Sequence, residues 1–233
     1  MVCLIIYTVT VPGGFDIHND DADVGHQLLD SSANMNVHDD GSRTLLHLAV
    51  THGHLHVIQR LLDHNADVNT RDDEGKTLLY KALLDDRLDA ARLLLQRGAD
   101  VNARCDGIYS SPLHLAASKR NPESTRLLLG HNANFHLRDN IGRTPLHNAA
   151  WNGNHDVMRL LLQRGAEVDA RDNTHSTCLH LAAFNGDLEA ARLLLEYGSD
   201  AQARDKEGKN PLMVASSKTP QDMTRLLSRM DSA

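Results

Sequence analysis

The sequence predicts an all-α solenoid, a stack of helix-turn-helix units rather than a domain built around one central core. Three observations predict it. A tetrapeptide whose fourth residues are His47, Tyr80, His114, His147, His180 and Met213 recurs with a period of about 33 residues, only the step from Tyr80 to His114 being one longer. A second block keeps the same register: Asn65-Ala66-Asp67-Val68-Asn69, Gly98 to Asn102, Asn132 to His136, Gly165 to Asp169 and Gly198 to Gln202. Aromatic residues make up only 3% of the chain. A single compact core leans on Phe, Tyr and Trp, whereas thin helices filled with Leu and Ala do not need them.

The first helix of each unit starts at the tetrapeptide. Thr44, Thr77, Ser111, Thr144, Thr177 and Asn210 each carry a side-chain oxygen able to cap a helix N-terminus. Pro112, Pro145 and Pro211 follow at the first helical position, where a missing N–H costs nothing. Leu146, Ala149 and Ala150 then give a small buried face that lets two helices approach closely.

The second helix ends in a leucine run: Leu93 to Leu95, Leu127 to Leu129, Leu160 to Leu162 and Leu193 to Leu195. Three successive leucines cover more than one helix face, which suits a helix packed on its partner and on both neighbouring units. The residue that stops it is always Asn or Gly (Asn65, Gly98, Asn132, Gly165, Gly198), as a left-handed helix end requires. The Val-Asn-x-Arg stretch and the following Asp-x-x-Gly read as a tight hairpin between units.

These residues resemble the ankyrin repeat. Residues 139–171 follow its pattern almost throughout, from Asp139, Gly142, Thr144, Pro145, Leu146 and His147 to Gly165-Ala166-Glu167-Val168-Asp169. The resemblance covers roughly residues 20 to 230 and implies an ankyrin-repeat solenoid whose helix pairs are joined by β-hairpin loops. The expected division is an irregular N-terminal arm with a degenerate half repeat over 1–38, then repeats over 39–233. Their bounds are 39–71, 72–104, 105–138, 139–171, 172–204 and 205–233. Leu28 to Asn36 matches Leu61 to Asn69 and marks the half repeat, while Pro12-Gly13-Gly14 stands where its first helix would be. The third repeat is one residue longer at Cys105 to Ser110, which should push out the hairpin tip around Tyr109.

Charge and composition exclude several functions. The chain of 233 residues has a formal net charge of -7, with Lys and Arg interspersed among Asp and Glu, which argues against nucleic-acid binding. Cys3, Cys105 and Cys178 are far apart and form no CxxC pair, so neither a disulfide framework nor a zinc site is expected. No Asn-x-Ser/Thr sequon occurs, and the reading is an intracellular protein, cytoplasmic or nuclear. The apolar start, Met1 to Val11, is too short to span a membrane and lacks the basic lead-in of a signal peptide. It reads as a strand or loose arm. No membrane partner is expected, and the chain is read as a monomer.

Fifteen histidines invite a metal or catalytic reading, and their positions argue against it. His47, His114, His147 and His180 sit in the tetrapeptide, and the resemblance assigns them a structural role, hydrogen bonding the loops between repeats. His52, His54 and His56 alternate, and a helix would point the last two apart. Cys178 takes the proline place and reads as a packed thiol. No phosphate-cradling glycine loop or dinucleotide fingerprint occurs. The expectation is no catalytic residue, no metal, no cofactor and no enzyme.

What the resemblance implies instead is binding, on a concave groove formed by hairpin tips and the exposed side of each first helix. Carried over by position, the groove residues include Leu84, Lys119, Trp151, Asn152, Phe184 and Asn185 on the helices, with Tyr109, Ile141 and Arg143 on the hairpins. Trp151 is the single Trp, and Phe184 follows it by one full period, so the two should stack on adjacent repeats. An exposed aromatic pair inside a polar rim is the anatomy of an interaction hot spot. The expected function is a protein–protein interaction scaffold or adaptor for a protein partner. Two other classes stay open: a regulatory or inhibitory subunit of an enzyme complex, and a small-molecule-binding or catalytic protein using the groove as a pocket.

Overall fold

A computed structural model describes residue 36 and residues 43–105, 109–215 and 221–230. The expected N-terminal arm, the tip of the lengthened hairpin at 106–108, and Ser217, Lys218, Thr219 and Pro220 fall outside these residues, apart from Asn36. The described chain is helical, without a β-strand.

The fold follows from its caps. Thr77, Ser111 and Asn210 accept the amide three residues on, at Tyr80, His114 and Met213. At Thr44, Thr144 and Thr177 the cap is reciprocal: the Thr side chain faces the histidine amide and the histidine turns back, its Nδ1 accepting the Thr N–H at 3.0, 3.2 and 3.1 Å. The second helices stop at residues with left-handed backbone, Asn65 at φ 62°, Gly98 at 89°, Asn132 at 61°, Gly165 at 90° and Gly198 at 83°. Helices of seven to nine residues are marginal alone, so burial must supply their stability.

The chain forms two compact units, residues 1–100 and 101–233. In the first, α1 (Leu45–His52) packs on α2 (Leu55–Asp63), and α3 (Leu78–Leu84) packs on α4 (Leu88–Gln96). The first helices also meet each other, as do the second helices. Leu46, Ile58, Leu78, Leu83 and Leu94 fill this core.

The second unit repeats the pattern. Its first helices are α5 (Pro112–Ser118), α7 (Pro145–Trp151), α9 (Cys178–Asn185) and α11 (Pro211–Val214). Its second helices are α6 (Pro122–Gly130), α8 (His155–Gln163), α10 (Leu188–Glu196) and α12 (Gln221–Met230). Each first helix contacts the next first helix, forming one layer, and the second helices form the other. Ala149, Ala150, Ala182 and Ala183 are wholly buried, so the layers lie close. Leu128, Leu146, Leu161, Leu179 and Leu194 fill the space between them.

The hairpins close by one rule. Asp139 N–H donates to Arg143 O, Asp172 N–H to Ser176 O, and Asp205 N–H to Lys209 O, four residues apart each time. Oδ1 of each Asp accepts amides two and four residues on, as at Ile141 (3.0 Å) and Arg143 (2.8 Å). At the lengthened hairpin Cys105 N–H reaches Ser110 O instead, five residues away, which absorbs the extra residue.

Candidate functional site

The aromatic pair occupies the corner where a first helix gives way to its second. Trp151 is the last residue of α7 and Phe184 the penultimate residue of α9. The two helices lie side by side, so the register brings the rings together. Their centroids are 6.0 Å apart and their planes differ by 13°, an offset stack. Both stay open to solvent, Trp151 at 42% and Phe184 at 53%. Arg143, eight residues before Trp151, lies along the same repeat, with its guanidinium carbon 4.9 Å from the Trp151 ring centroid. Its Nε is 3.8 Å from Oδ2 of Asp172, a carboxylate fixed by the Thr174 and Ser176 amides.

The rim is polar and pinned. Asn185 donates to Trp151 O at 3.0 Å, and Asn152 to Asn148 O at 2.8 Å. Ile141, exposed at its hairpin tip, has its carbonyl bonded by the Asn173 amide at 3.0 Å. The structure therefore brings Arg143, Trp151, Phe184 and Asn185 together, with Ile141 on the same hairpin as Arg143. Tyr109 and Lys119, both half-buried, sit on the preceding repeat. Leu84 is exposed at the end of α3 in the first unit.

Two features were not singled out by sequence reasoning. His155, in the first turn of α8, bridges to the next repeat: Nε2 lies 2.7 Å from Asp187 Oδ2 and Nδ1 3.1 Å from Glu189 Oε2. Asp187 also caps α10 through the Ala190 amide. The signal was available, since the separation of His155 and Asp187 falls just one short of the repeat period. The second feature is a row of guanidiniums. Arg104 donates to Arg138 O at 2.8 Å, Arg138 to Arg171 O, and Arg171 to Arg204 O at 2.9 Å.

In the second unit the tetrapeptide histidines share one arrangement on the Nε2 side, each reaching a carbonyl of the next hairpin. Nδ1 of His147 accepts the Thr144 amide, so the ring proton sits on Nε2, which donates to Ser176 O at 3.3 Å. Nε2 of His114 and His180 meets Arg143 O and Lys209 O, at 3.0 and 3.1 Å. Burial disfavours the imidazolium in all three and holds their titration below the ordinary range, to about 4 for His147. His47 is likewise buried, beside Thr44.

Cys105 and Cys178 are buried and held as thiols, outside any disulfide among the described residues. Desolvation pushes the Cys178 thiol far up, which makes a thiolate nucleophile there unfavourable. Among the described residues no cluster of His, Cys, Asp or Glu is placed to hold a metal ion, and no helix is long and apolar enough to cross a membrane.

A family model described as ankyrin repeats in three copies matches residues 16–105, 104–172 and 168–232. No curated protein matches the sequence. Among solved structures the chain is similar to the human ASB11 ankyrin repeat domain, at 26% identity and a TM-score of 0.75, over 91% of this chain and 98% of that one. It is also similar to the ankyrin repeat domain of Bcl-3, described as a unique member of the IkappaB protein family. The identity there is 30% and the TM-score 0.77, over 87% of this chain and 91% of that one.

Proposed function

The chain belongs to the ankyrin repeat family, and from that premise we propose that it is an adaptor that binds a partner protein stoichiometrically. Ankyrin repeats are in general protein–protein interaction modules. The binding surface in the second unit is the face carrying Trp151 and Phe184, with Arg143, Ile141, Asn152 and Asn185 around them and Tyr109 and Lys119 on the preceding repeat. Leu84 is the corresponding residue of the first unit. The observation that carries the reading is the stacked, half-exposed aromatic pair. A monomer would leave it open to water unless something else covers it.

The surface is prebuilt. Asn185 fixes the corner on which Trp151 stands, and Asp172 stands beside Arg143, so little side-chain entropy is lost when a partner lands. The same proposal takes the protein as an intracellular monomer, supported by two buried cysteines held as thiols, and the tetrapeptide histidines as structural. The repeat bounds at 39–71 through 205–233 are part of it.

The test is the double variant Trp151→Ala with Phe184→Ala. Its helicity should stay near that of the parent and its melting fall by only a few degrees, while proteins retained by the parent on an affinity column should be lost. An unchanged set of bound proteins would remove the assignment of this face.

A further inference from the structure

We propose that the occupant of the Trp151–Phe184 face is an acidic segment of a partner protein carrying one bulky apolar side chain. This rests on the reading of that face as the binding surface and adds the chemistry of what it takes. The first support is charge. The chain holds 31 acidic residues, yet none occurs at positions 118–119, 140–143, 151–152, 173–176 or 184–185, the helix ends and hairpin tips around the aromatic pair. Lys119 and Arg143 do occur there. The carboxylates that flank these positions, Asp139 and Asp172, are buried and accept hairpin amides, so the exposed positions around the pair carry none in a molecule with a net charge of -7.

The second support is the state of Arg143. Its guanidinium lies over Trp151, and its Nε is buried without a hydrogen bond among the described residues. Asp172 Oδ2 lies 3.8 Å away on that buried side, an ion pair longer than a hydrogen bond. With Nε turned inward towards Asp172, the outer edge of the planar fork, its two terminal nitrogens, lies against the aromatic ring and suits an incoming carboxylate. An aliphatic or aromatic side chain beside that carboxylate would cover the exposed ring faces of Trp151 and Phe184. The third support is the guanidinium row on the same hairpins. Arg138 and Arg171 bond main-chain carbonyls and pair with no carboxylate among the described residues. Arg138 opens the hairpin that carries Arg143 and Arg171 opens the next, so both add positive charge to these hairpins.

The test uses the whole chain and a random peptide display library, selected on the parent protein and counter-screened on the Trp151→Ala, Phe184→Ala variant. Selected sequences are then synthesised and titrated against the emission of Trp151, the single tryptophan. We expect sequences rich in Asp and Glu around one Leu, Met or Phe. Replacing their Glu by Gln, or Arg143 by Met, should each weaken binding about tenfold, with Arg143→Lys between parent and Met. The Glu-to-Gln comparison does not depend on any variant of the protein folding. Selected peptides without acidic excess, a Glu-to-Gln change without effect, or no selectable peptide would each overturn the proposal. So would a single-stranded oligonucleotide that shifts Trp151 emission at lower concentration than the acidic peptides. Acidic peptides retained equally by the double variant would sink the assignment of the face itself, a result distinct from the others.

Discussion

His147 holds the next repeat through one hydrogen bond: its Nε2–H donates to the main-chain oxygen of Ser176, while its Nδ1 accepts the amide of Thr144. Only the neutral ring with its proton on Nε2 can do both. Protonation would put a second hydrogen on Nδ1, where the Thr144 N–H already points. The ring titrates at about 4 in the fold, against an ordinary value of 6.5. Because the folded value is depressed, the unfolded chain takes up the proton first. Stability from this group is complete above pH 6.5 and falls as pH drops towards 4, by roughly 3 kcal/mol. Urea unfolding at pH 7.5, 5.5 and 4.5 should show the loss. His147→Gln should lower stability at pH 7.5 and flatten the dependence.

Gly142 stands at the hairpin tip with φ at 78°, and a Cβ there would lie 2.3 Å from Asn173 Oδ1 and 2.8 Å from the Asn173 amide nitrogen. The side chain can swing away, but the backbone cannot. Gly142→Ala should cost about 2 kcal/mol or more, from left-handed strain plus displacement of the next hairpin. Thermal unfolding would measure it, and Gly165→Ala, with open space around it, should cost less.

His175 fills the place in its hairpin that Gly142 and Gly208 fill in theirs, and it carries φ at 61°. A residue with a bulky ring is strained there in the folded state. His175→Gly should stabilise the protein by about 0.5–1 kcal/mol, the relief being partly offset by the greater freedom of glycine in the unfolded chain. A lower melting temperature for that variant would contradict the strain.

The Trp151–Phe184 stack should appear as a coupling energy. A double-mutant cycle on unfolding, with each ring cut to Ala, is expected to give about 0.5–1.5 kcal/mol. Additive losses would mean that the rings are neighbours without interaction.

Cys178 should be inert in the native state and reactive in denaturant. Its side chain is buried and its thiol pushed up by desolvation. Iodoacetamide labelling, read by peptide mass spectrometry, should modify it only after unfolding.

Most of the architecture was legible because its signals are local. A cap such as Ser111 or a stop such as Asn132 acts within a few residues, so spacing alone shows where helices begin and end. The Trp151–Phe184 juxtaposition was legible for a different reason: side-by-side helices at a fixed period turn a sequence offset into contact. Arg143 over Trp151 was not, since nothing in an eight-residue separation says which way a long side chain will lie. His155 was not legible either. Its role depends on Asp187 and Glu189 in the next repeat, at offsets one short of the period and one beyond it, which look unremarkable until the helices are stacked. Asn148 is buried at a place where Leu115 and Leu181 stand in neighbouring repeats, and its Nδ2 has no partner among the described residues. Nothing in the structure explains that choice.

The bonds between neighbouring hairpins also fix how the second unit should yield to force. Asn173 N–H to Ile141 O, Lys206 N–H to Thr174 O, the histidine bonds and the arginine row all join adjacent repeats side by side. Tension applied along the stack loads these links one boundary at a time, like teeth of a zip. Each boundary that parts frees one repeat of chain, about 33 residues, which is the spacing of His147 and His180. At full stretch that is roughly 110 Å. The extension trace should therefore climb in a staircase of nearly even treads, its height set by seams rather than by the helices they join.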